Sequence, residues 1–208
     1  MRLNRERLIQ AALDLVDEEG SEGLSMRTLA ARVDRQVSSL YNHVTGRGEL
    51  IELMRARIVE DIDVTPFLPD SEMPWDDAIR AWARSYLRAF AAHPNLIGLL
   101  ATTAVSDVST CRMYDIIAAA LQRAGWPESR VIAVIRTVEA HVLGSALDIV
   151  APADMFDQEL IDPQFRTVHS ALDPRYAESF DAMSAFELGL TALVDGLRGR
   201  LAADRVLA

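Results

Sequence analysis

The stretch from Ser25 to Arg47, SMRTLAARVDRQVSSLYNHVTGR, constrains the fold of this chain more than any other. It reads as two short helices with a tight connection. Ser25 is a candidate cap for the first, Met26 to about Arg32, whose Leu29, Ala30 and Val33 would face inward. A small residue at position 30 lets the next helix approach closely. That helix begins near Val37 and buries Leu40 and Val44, which leaves Ser38, Ser39, Tyr41, Asn42 and His43 on its remaining sides.

The flanking chain is helical too. Residues 4–19 carry Leu8, Ala12, Leu15 and Val16 at helical spacing behind Asn4 as a cap, and Gly20 and Gly23 end the run. A fourth helix is expected from Gly48 to about Asp63, then a proline-broken loop to Pro74. Trp75 to His93 places Trp82, Tyr86 and Phe90 on one face. Pro94 opens a short apolar segment to about Thr103, Ser106 to Ala124 is the next helix, and Pro127 stands at the first turn of a long one reaching Val150. Residues 151–181, with three prolines, read as a surface connector, and a last helix carries FELGLTALVDGLRGRL. No strand-like alternation occurs. The expected fold is all-α, with a head at 1–47 and a larger helical part at 48–208 in which helix four, 48–63, is the connector.

Charge divides the same way. Residues 1–58 hold nine Arg against nine acids, so the whole net charge of −10 lies beyond them. An acidic surface argues against nonspecific binding to a polyanion, and any contact with nucleic acid has to be local. The apolar runs fall short of the roughly 18 residues that span a bilayer. The start, MRLNRERL, has no apolar signal core, and the single Cys111, expected as a small core residue, forms no internal disulfide; both fit the cytoplasm.

Two helices joined by a short turn can lay the second in the DNA major groove. The residue types suit that task. Ser38 and Ser39 are adaptable donors and acceptors, Asn42 can pair bidentately with adenine, and Tyr41 and His43 can bond phosphate. Arg27 and Arg47, near the starts of the neighbouring helices, can reach the flanking backbone. The same spacing also fits an ordinary helical hairpin with a polar face.

At these residues the chain resembles the DNA-binding domain of the tetracycline-repressor (TetR) family of bacterial transcription regulators, over Leu3 to about Ile58. RERLIQAALDLVDEEG, GLSMRTLAARV, SLYNHV and the Arg47–Leu53 helix start occur in the family's order. The resemblance implies that Val37, Ser38, Ser39 and Asn42 face bases, that Tyr41, His43 and Arg27 hold phosphates, and that Arg47 clamps the backbone. It also implies a dimeric repressor that releases a palindromic operator when a small-molecule effector binds. The chain departs from the family at the turn. Asp34 stands where Gly is usual, although Asp tolerates the left-handed conformation, and Arg35 stands where a small apolar residue is usual.

Two apolar stripes, Val138, Val142, Ala146 and Ile149 on the long helix and Leu190, Leu193, Leu197 and Leu201 on the last, are the expected dimer seam of a four-helix bundle; the alternative is an internal core. Trp82, Tyr86, Phe90, Tyr114, Ile117 and His141 are the candidate effector lining implied by the family, and the alternative for these is again core. Glu60-Asp61-Ile62-Asp63 stands where the tetracycline branch carries a histidine for its drug, which speaks against tetracycline. No Glu-x-x-His pair, phosphate loop or nucleophile elbow occurs, so neither metal, cofactor nor enzyme activity is expected. The competing class is a helical ligand-binding or scaffold protein that has lost DNA binding.

Overall fold

The structure, a computed structural model, describes residues 3–152 and 155–207. Among them it is all-α, with ten α-helices and no strand. In α1 (Arg5–Glu19) the Asn4 side chain accepts the Arg7 N–H and caps the helix, Leu8, Ala12, Leu15 and Val16 are buried, and Gly20, at φ 77°, stops it. Ser25 and Thr28 form a reciprocal capping box at α2 (Met26–Arg32).

The next helix is shorter than its sequence pattern suggests. α3 covers only Val37–Leu40, and the chain then tightens so that the His43 N–H donates to the Leu40 carbonyl at 2.9 Å. Leu40 and Val44 remain buried at 0% and 2% exposure, so the turn keeps both anchors in the core. α4 runs Arg47–Val59, ending before Asp63. The cause is local: Ile62 tucks into the core while Ser85 accepts the Asp63 N–H at 3.1 Å, drawing the chain off the helix axis.

The larger part is built around α5 (Trp75–Ala91), which packs against α8 (Glu128–Ile149) and α10 (Ala182–Leu207). Trp82, with no exposed surface, sits at its centre, edge-on to both Phe67 and Tyr86. Ion pairs of Arg84 with Glu187, Arg80 with Asp195 and Arg198 with the buried Asp76 join α5 to α10. The short α6 (Ile97–Ala101) and α7 (Val108–Arg123) lie between these helices and α4. At the end of α7, Gly125 takes φ 96° and the Trp126 N–H returns to the Leu121 carbonyl, a glycine-dependent stop before Pro127 caps α8. The segment read as a connector contains one short helix, α9 (Arg166–Ala171), with mostly exposed residues.

Two expectations change. Cys111 is exposed, because the inward face of α7 is carried by Thr110, Met113 and Ile117. The expected dimer seam is largely internal: Val138, Val142, Ala146 and Leu190 have no exposed surface, Leu201 has 4%, and only Ile149, Leu193 and Leu197 are partly open. The stripe of each helix is consumed by packing α8 on α10 and α5 within one chain. At the crossing, Gly189 is required, since a Cβ there would fall 2.4 Å from the His141 ring.

Candidate nucleic-acid interface and effector region

The head meets its turn requirement without glycine. Asp34 takes φ 52°, its N–H donates to the Ala31 carbonyl at 3.1 Å, and the Arg35 N–H donates to the Ala30 carbonyl at 2.9 Å. That pair of bonds is a Schellman stop with Asp34 at the left-handed position. Left-handed backbone costs an L-residue about 1 kcal/mol, least for Asn and Asp. Arg35 folds back, donating to the Asp34 carbonyl at 2.6 Å, so its charge is turned onto the turn itself.

This stop aims α3. Ser38 and Asn42 are exposed, Tyr41 is 53% exposed, and Ser39 and His43 are partly so. Val37 is turned partly inward and packs against the core, which leaves it less to offer a base edge than its sequence position implies. Arg27, in the first turn of α2, is exposed. Arg47, the first residue of α4, is exposed too, while its Nε donates to the Leu24 carbonyl at 3.1 Å and so fixes where the guanidinium stands. Other arginines of the head are engaged internally. Arg32 holds Glu18 through two bonds of 2.7 and 2.5 Å, and Arg5 pairs with Glu49. Glu49 also accepts the N–H and hydroxyl of Thr45, and those bonds hold its carboxyl below the ordinary value. Arg27 and Arg47, at the starts of α2 and α4, are exposed arginines that flank α3.

Two sets of contacts tie the head to the rest. At the end of α1, Asp17 bonds His93 Nδ1 at 2.7 Å, and the Asn95 amide donates to the carbonyls of Val16 and Asp17. Along α4, Arg55, only 8% exposed, binds Glu52 at 3.1 Å and donates to the carbonyls of Leu100 and Thr103. Glu52 in turn accepts from the N–H groups of Ser106 and Asp107. Burial alone would raise the Glu52 carboxyl, but the bonds from Ser106 and Asp107 with the Arg55 charge bring it below the ordinary value. These strap residues are invisible to periodicity, because an i, i+3 Glu-Arg pair reads as a solvated helix face.

The six candidate effector residues divide. Trp82, Tyr86, Phe90 and Ile117 are buried, with Tyr86 stacked on Phe90 at 4.7 Å. The Tyr114 hydroxyl donates to Glu139 at 2.8 Å, and the Tyr86 phenol acts on the same carboxylate. His141 stands apart: its Nε2 bonds the Phe186 carbonyl at 3.0 Å and its ring stacks on Phe186, which makes it a joint between α8 and α10. None of the six lines the clefts of about 190, 480, 340 and 430 Å³ on this chain. Glu139 is the polar centre of the group.

Fold and head together define a helix-turn-helix protein with a helical second part. The profile described as "Tetracyclin repressor-like, C-terminal domain" matches residues 68–201. The chain belongs to the tetracycline-repressor-like family, and it is a DNA-binding transcriptional regulator of that family. It is 26% identical to the HTH-type transcriptional repressor DrrR1 of Streptomyces coeruleorubidus, over 98% of this chain and 80% of the relative. A possible TetR family regulator from Streptomyces coelicolor A3(2) superposes with a TM-score of 0.78 at 25% identity, covering 94% of this chain and 99% of that one. The Streptomyces coelicolor TetR family protein ActR, in complex with (S)-DNPA, superposes at 0.75 with 25% identity, over 98% and 99%.

Proposed function

We propose that two copies of this chain form a repressor that grips a palindromic operator through α3 and lets go when a small molecule enters among the middle helices. The observation that carries the reading is the exposed polar face of α3, set by the Asp34 stop and flanked by Arg27 and Arg47. In it Ser38, Ser39 and Asn42 read bases, and Tyr41, His43, Arg27 and Arg47 position the helix on phosphates. A turn with both Schellman bonds at Asp34-Arg35 gives the competing scaffold reading no support.

The second copy covers a different face from the buried stripes. On α8, Ile132, Ala140, Gly144 and Leu147 are exposed, and on α10 so are Leu188, at 74%, Ala192 and Gly196. A Cβ added at Gly144 or Gly196 would meet nothing, so both are open to a close-packed partner helix. A two-fold pair sets two copies of α3 for two half-sites. The bound small molecule of ActR supports an effector for this chain as well.

Release requires a ligand that prefers a state with the heads misplaced. The strap of Glu52 and Arg55 is the element that carries such a preference to α4. The test is a mobility shift on the DNA upstream of the chain's own gene across a salt series. Binding that weakens steeply with salt and about tenfold on Tyr41→Ala supports the reading; binding indifferent to Tyr41 and Arg47 contradicts it.

A further inference from the structure

We propose that the effector region of this chain is built around the carboxylate of Glu139 and selects an organic cation, such as a protonated amine on an aromatic body. The inference rests on the repressor reading above and names the ligand class for it.

Glu139 lies on α8 at 9% exposure. Its hydrogen-bond partner is a phenol, Tyr114 at 2.8 Å, the Tyr86 phenol acts on it from α5, and among the described residues no cation forms an ion pair with it. Arg55 is the basic group of α4 that acts on this cluster, but its guanidinium is held by Glu52, Leu100 and Thr103. Arg136, one turn earlier on α8, is exposed and acts on Glu139 through space without forming an ion pair with it. A carboxylate in such surroundings is desolvated with no counter-charge in contact, a state that an entering cation relieves and an entering anion worsens.

The aromatic setting favours the same class. Tyr86 is the middle ring of a ladder on α5, edge-on to Trp82 at 5.4 Å and stacked on Phe90 at 4.7 Å, and ring faces beside a carboxylate attract organic cations. The buried Trp82 Nε1 on α5 and Thr110 Oγ1 on α7 have no hydrogen-bond partner, so the closed chain carries polar capacity that it does not use. A cation at Glu139 would also set a positive charge near Arg55, the residue that ties α4 to the turn after α6. Ligand entry and an intact strap then oppose each other, which is the coupling that release needs.

The groups facing Glu139 are Tyr86 from α5, Tyr114 from α7, Arg55 from α4 and Arg136 on its own helix, with Asp107 acting on Tyr114 from the start of α7. Burial drives both phenols upward and they stay protonated. Burial also raises the Glu139 carboxyl, so cation binding must weaken as pH falls through that raised value.

The experiment uses full-length protein and three probes of one shape: 2-(1-naphthyl)ethylamine, 2-(1-naphthyl)ethanol and 1-naphthylacetate. Titration calorimetry is expected to rank the amine about tenfold above the alcohol and the acid below both. In Glu139→Gln the amine should fall to the alcohol's affinity while the alcohol changes by less than about twofold, a built-in check that the variant is folded. An amine bound no better than its alcohol, or an amine preference that survives Glu139→Gln, overturns the proposal. Operator binding is measured on the same samples. If it persists while the charge preference is missing, only this inference fails; if it is missing as well, the repressor reading fails with it.

Discussion

The head and the middle of this molecule handle polar side chains in opposite ways. In the head, Ser38, Tyr41 and Asn42 stand outside a small apolar core, ready for an external partner. In the middle, the Tyr114 hydroxyl of α7 satisfies Glu139 of α8, with the Tyr86 phenol of α5 acting on the same carboxylate. The difference is energetic. An exposed hydroxyl or amide costs nothing while it waits in water, whereas a buried carboxylate is paid for continuously by desolvation and holds only while its phenols stay in place. The outer set therefore sets what the protein touches, and the inner set makes its packing sensitive to whatever replaces those bonds.

The strap between the two regions gives the largest expected effect. Arg55→Ala removes a buried guanidinium, leaving the partly buried Glu52 carboxylate without its counter-ion and the Leu100 and Thr103 carbonyls without their donor, and should lower stability by about 3 kcal/mol, read by urea unfolding. A loss below about 1 kcal/mol would mean that head and middle are not joined there. Glu52 sharpens this through pH. Its folded value is depressed, so its contribution is present above the ordinary carboxylate value and is lost as pH falls through the depressed one. The stability gap between wild type and Glu52→Gln should accordingly close in acid.

Leu40→Ala comes next, at about 2 to 3 kcal/mol, because Leu40 is fully buried beneath α3. It should weaken operator binding only by unfolding the head. Tyr41→Ala and Arg47→Ala should do the reverse, costing about 1 to 1.5 kcal/mol of operator affinity each with thermal stability nearly unchanged, and only the loss of the charged Arg47 should lower the salt slope, by roughly one. For the inner set, Glu139→Gln should raise the melting temperature at alkaline pH. A raised carboxyl favours folding most below its ordinary value of 4.5 and loses that contribution as pH rises, so the advantage of Gln should shrink toward acid. The smallest effect belongs to Asp34→Gly, which removes left-handed strain at some cost in unfolded-chain entropy, a net gain under about 1 kcal/mol.

The same contrast governs what could be read from the sequence. α1, α2 and α5 fall close to where caps, glycines and prolines put them, since each of those signals acts within a few residues. Asp34 was legible for the same reason. The outward face of α3 followed from subtraction, once Leu40 and Val44 were assigned to the core. Val138, Val142 and Ala146 were read as part of a seam between copies and pack within one chain, because periodicity says that a side is apolar and never which neighbour it meets. Inside one chain and across a two-fold axis, the pattern is identical. Glu139 and the Glu52-Arg55 strap were missed because their partners come from helices distant in sequence, and only packing brings a phenol from α7 to a carboxylate on α8.

The central claim is that the outward face of α3 reads DNA. It is tested most directly by salt-dependent binding of wild type, Tyr41→Ala and Arg47→Ala to the gene's own upstream DNA. The account predicts retarded complexes for the wild type, about tenfold weaker binding for each variant, and a shallower salt dependence for Arg47→Ala. Equal affinity and equal salt slope for all three would contradict it.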